Sequence, residues 1–85
     1  MSDVAETGCA MMKREAKALR AEIRRLRRTV TEFEAKIRTL EAEPDPDRRQ
    51  IEALRQAVAR LGTKVDEDEA AAADLESVIT ENCPP

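Results

Sequence analysis

The sequence predicts an all-α fold: two long helices forming an antiparallel coiled-coil hairpin, with dimerisation into a four-helix bundle left open. Apolar residues in the first half recur at Cys9, Met12, Ala16, Leu19, Ile23, Leu26, Val30, Phe33, Ile37 and Leu40, in steps that alternate 3 and 4. The second half repeats the pattern at Ile51, Leu54, Val58, Leu61, Val65, Asp68, Ala72, Leu75 and Ile79. Such spacing marks a heptad seam with apolar a and d positions. Pro44-Asp45-Pro46 separates the two stripes. Folding the chain there pairs Leu40 with Ile51 and Ile37 with Leu54, and the residue numbers of every later layer add to 91.

A single domain over residues 1–85 follows. Residues 1–7 are read as a lead-in, since Gly8 weakens an early start. Ser2 and Thr7 are candidate caps, and neither is followed at the third position by Glu or Gln. The first helix is expected over about 9–43. Pro44 ends it, because a proline disfavours helical geometry in the residue before it. Residues 44–46 form the turn. Asp45 as N-cap and Pro46 as first helical residue then open a second helix over about 46–82, which Pro84-Pro85 stop. One continuous helix is the rival, but Pro46 inside it would cost about 3 kcal/mol or more.

The flanking charges support the same register. Across the e flank they pair Lys13 with Glu76, Arg20 with Glu69, Glu34 with Arg55 and Glu41 with Arg48, while Arg27 meets Gly62. Gly62 is read as space for Arg27. The g flank differs: Ala57, Ala71 and Val78 leave it small or apolar. It is read either as a mild solvated surface or as a docking side for a second hairpin. A two-helix unit has one seam and no second layer, so association would help it.

Composition bounds the function. Charged residues make up 39% of the chain and Phe33 is its sole aromatic, as in a long helix or coiled coil. No histidine, tryptophan or tyrosine is present, which removes the commonest general base and the usual base-stacking platforms. No nucleophile–base pair or glycine-rich phosphate loop can be assembled, so no enzymatic activity, cofactor or metal is expected. The first half is net positive and the second half net negative. No stretch is long and apolar enough to span a membrane, and no signal peptide leads the chain. The Met1 start is read as that of a complete chain. Its expected location is cytoplasmic, with signal-less secretion left open.

Cys9 and Cys83 are the strongest candidate site. The register sets Cys9 beside Asn82 and Cys83 at the open end of the hairpin. A bridge there would close a loop of 74 residues, for which chain entropy gives about 4 kcal/mol of stabilisation. Free packed thiols, a regulatory thiol switch and a soft metal site with Met11 and Met12 are the alternatives. A cytosolic address argues against a permanent bridge.

Asp68 breaks the seam. It stands at a d position opposite Ile23, where a carboxylate is costly unless paired, and Arg20, Arg24 and Arg27 are its expected partners. Basic residues crowd between Lys13 and Arg28, facing the acidic run Asp66–Glu69 across the hairpin. Arg25 and Arg28 lie furthest from the seam and would lead any contact with an acidic partner. Nucleic-acid binding is disfavoured because much of that field cancels. The reading is a non-catalytic interaction or scaffold module acting on a protein partner or on its own copy. A redox- or metal-responsive thiol element is the alternative.

Overall fold

The computed structural model describes the backbone from Ser2 to Pro85 and the side chains from Thr7 onward. Helix α1 spans Ser2–Glu41 and helix α2 spans Arg48–Asn82. They pack side by side as an extended antiparallel hairpin measuring 68 × 15 × 14 Å.

Both helices depart from the expected ends. α1 begins at Ser2, so Thr7 lies inside it and cannot cap it. Ser2 is its first residue, and the cap position falls outside the described residues. Four turns' worth of good helix formers from Ala10 onward outweigh the cost of one internal Gly8. At the other end α1 stops at Glu41, and the amides of Ala42 and Glu43 close the last turn on Arg38 and Leu40 at 3.2 Å each.

The N-cap of α2 is Asp47, not Asp45, and Pro46 precedes the helix. The Asp47 side chain accepts the amide hydrogen of Gln50 at 3.1 Å, and its carbonyl accepts that of Ile51 at 3.0 Å. Asp45 would have to cap Arg48. Asp47 has Gln50 at the third position, as in a capping box. At its far end the Cys83 amide closes on Ile79 at 2.9 Å, and Cys83 then turns extended ahead of Pro84.

The seam is the core. Ile23, Leu26, Val65 and Ala72 form one buried cluster, extended by Leu19 and Leu61. Ile37, Leu40 and Ile51 form another beside the hinge, with Leu54 and Val58 against it. Four layers whose numbers add to 91 lie within these groupings: Leu19 with Ala72, Leu26 with Val65, Ile37 with Leu54 and Leu40 with Ile51. Ile23 is the most deeply buried large side chain, at 1% exposure.

Candidate functional site: the clasped mouth and the uncovered flank

A disulfide joins Cys9 to Cys83, with the α-carbons 5.8 Å apart, inside the range that bridge geometry allows. Cys9 is buried on the seam and Cys83 is half-buried just past the end of α2. The bridge therefore locks the mouth of the hairpin, at the end opposite the prolines. Both sulfurs are consumed, so no thiolate faces Met11 or Met12 in this state. Lys13, Ile79, Cys83 and Pro84 line a shallow depression beside it.

Ion pairs bridge the two helices along the e flank. Arg20 donates to Glu76 through Nε at 3.0 Å and Nη2 at 2.5 Å, and through Nη1 to Glu69 at 2.7 Å. Arg27 holds the other oxygen of Glu69. Nearer the hinge, Arg55 bonds Glu41 at 2.6 Å. Only Arg20–Glu69 is a pair the sequence predicts. Glu76 takes Arg20 in place of Lys13, Arg55 takes Glu41 in place of Glu34, and Glu41 does not pair with Arg48. Side chains lean toward the N-terminus of their own helix. In an antiparallel pair the two tips thus approach from opposite directions, and partners shift by about one heptad. The arginine at Gly62 follows the same rule: Arg27 leaves it for Glu69, and a β-carbon at Gly62 would meet nothing within 4 Å.

That network perturbs its own members. Hydrogen bonds donated to Glu76 and then to Glu69 raise the Arg20 pKa, so its charge is held more firmly. The Arg20 hydrogen bond holds the Glu76 carboxyl below the usual glutamate range.

Asp68 is buried to 5% exposure, and its partner is not one of the three expected arginines. Lys64, one turn earlier on the same helix, reaches Oδ1 at 3.1 Å. Arg20 and Arg27 are already committed to glutamates on the other flank. Oδ2 of Asp68 is buried and makes no hydrogen bond among the described residues. The Asp68 hydrogen bond raises the Lys64 pKa, with a small addition from Glu67.

The g flank is left open. On the e side the a positions Cys9, Ala16, Ile23, Ile37, Ile51, Val65 and Ala72 are buried beneath arginine and glutamate stems, while Val30, Val58 and Ile79 are half-buried. Of the d positions on the g side, Leu26, Leu40 and Asp68 are buried, while Met12, Leu19, Phe33, Leu54, Leu61 and Leu75 are half-buried. Their neighbours there are Ala57, Ala71 and Val78, too short to cover them. Val78 is 42% exposed and Met11 is 57% exposed, and these two are the exposed large hydrophobics of the described residues. Of the two arginines expected to lead a partner contact, Arg25 is tied to Glu22 at 2.6 Å, while Arg28 is exposed. The sequence points to this flank through Ala57, Ala71 and Val78, but not to which seam residues beside it stay half-covered.

Comparison with known proteins finds no match: no family model, no curated protein and no solved structure aligns with the chain.

Proposed function

We propose that the chain is a non-catalytic protein–protein interaction module: a stiff coiled-coil hairpin, clasped at its mouth, that docks a partner on the g flank. One observation carries this reading. Most a positions beside the e flank are buried, whereas most d positions beside the g flank, Leu19, Leu54, Leu61 and Leu75 among them, keep apolar surface in water. Covering apolar surface is worth about 25 cal/mol per Å², and a row of leucines along one flank is what a helix-in-groove partner uses. The bridge and the charged e flank hold that row in one geometry before a partner arrives, which lowers the ordering cost of binding.

A photo-crosslinking residue placed at Ala71, on the g flank, tests it against the same residue at Ala59, on the outer face of α2. Adducts formed in native extract at position 71 and not at 59 support docking. Equal yields at the two positions overturn it.

The half-exposed Cys83 favours a second reading, a thiol-responsive element in which reduction loosens the mouth and weakens docking. The position-71 adduct would then vanish on adding reductant and return on reoxidation.

A further inference from the structure

We infer that the partner seated on the g flank is a second copy of this chain, packed in reverse orientation to give a closed two-fold four-helix bundle. This rests on the docking reading above and names its occupant.

Charge decides both occupant and orientation. The mouth half of the flank carries Glu15 and Asp74, which the register places at nearly the same height along the hairpin. The hinge half carries Lys36 and Arg60, again at similar height. All four are exposed, and none is held in an ion pair among the described residues. A copy placed with its mouth at the same end would set Glu15 over Asp74, like charge on like, and Glu32 rather than Lys36 over Arg60, so that Lys36 would face no carboxylate. A copy placed end for end lays α1 on α1 and α2 on α2, both antiparallel. Glu15 then meets Lys36 of the second copy and Asp74 meets Arg60. Two-fold symmetry makes each pair occur twice.

The apolar residues fit the same arrangement. Val78, exposed at the mouth, lands on Ala57 near the hinge of the second copy, a small residue that admits it. On the axis Arg25 is already countered by Glu22 of its own helix, and Glu67 feels the charge of Lys64, which is bonded to Asp68. The flank is large enough. A face of 68 by about 15 Å offers the order of 800 Å² per partner that a standard interface needs.

The test is sedimentation equilibrium of the oxidised full chain and three variants: Lys36→Glu, Glu15→Lys and the double exchange. Circular dichroism confirms that each variant stays helical. The wild type is expected to dimerise reversibly. Each single variant should weaken the dimer about tenfold or more, since it disturbs two symmetric pairs, and the double exchange should restore it. Spin labels introduced at Ala42 should read about 50 Å between copies, the rise of some 34 helical residues. A short label distance shows mouths at the same end and overturns the arrangement. So does a dimer indifferent to the charge variants. A monomer at every concentration up to about 1 mM overturns the second copy. If position 71 still crosslinks then, the docking reading survives with a different occupant. If it does not, both fall together.

Discussion

Arg20 grips Glu76 across the hairpin with two nitrogens, at 3.0 and 2.5 Å, although 56 residues separate them in the chain. The third nitrogen goes to Glu69 at 2.7 Å, and Glu69 in turn holds Arg27. The chain of four side chains links the two helices in the half nearer the mouth and covers Ala16, Ile23 and Ala72 on the seam below. Pairing charges by heptad letter alone finds only its Arg20–Glu69 link.

Acid should release this chain first. The folded Glu76 carboxyl lies below the ordinary glutamate value of 4.5. A depressed folded pKa contributes stability that is fully present above the unfolded value and lost as pH falls through the folded one. Unfolding midpoints in urea are therefore expected to hold steady from pH 7 to about 5 and to drop below that value. Glu76→Gln should flatten the acid limb. An acid limb of unchanged steepness in that variant would show that Glu76 does not contribute to it.

Reducing Cys9–Cys83, or replacing Cys83 by Ser, should cost about 4 kcal/mol in the chain-entropy account of a 74-residue loop. The loss should begin at the mouth. Hydrogen exchange of amides near Met12 and Ile79 is expected to rise well before that of Leu40 and Ile51, which pack beside the hinge. Uniform acceleration along both helices would contradict a clasp that acts locally.

Asp68 is held in place at a cost. Lys64 satisfies one oxygen, and the other is buried without a donor among the described residues. Asp68→Leu should raise stability by about 1–3 kcal/mol, as when a poorly satisfied buried charge gives way to an apolar side chain. Asp68→Asn should fall between the two. Chemical denaturation at pH 7 decides it, and a destabilised Asp68→Leu protein would mean that the carboxylate has a partner the hairpin alone does not supply.

Gly62 sits inside α2 with open space where a β-carbon would go. Gly62→Ala should stabilise the hairpin by up to about 1 kcal/mol, because glycine lowers helix propensity by that amount and nothing must move to admit a methyl group. The thermal midpoint of the oxidised protein measures it. A lower midpoint would show that position 62 on the e flank needs to stay bare.

Much of this protein was legible from the order of its residues. Stripe spacing names two helices, the prolines place the fold-back, and the pairing of layers brings Cys9 to Cys83 without any coordinates. These follow because heptad periodicity and chain reversal are properties of residue positions alone. What the packed pair decided is of another kind. Which arginine binds which glutamate depends on the tilt of side chains toward their own N-termini, visible only when two helices run past each other. The choice of Lys64 over three arginines for Asp68 turned on competition for the same groups in space, with Arg20 and Arg27 held by glutamates. The half-open flank also required both helices at once, since whether Leu19 or Leu75 is covered depends on the length of the side chains that the opposite helix sets beside it.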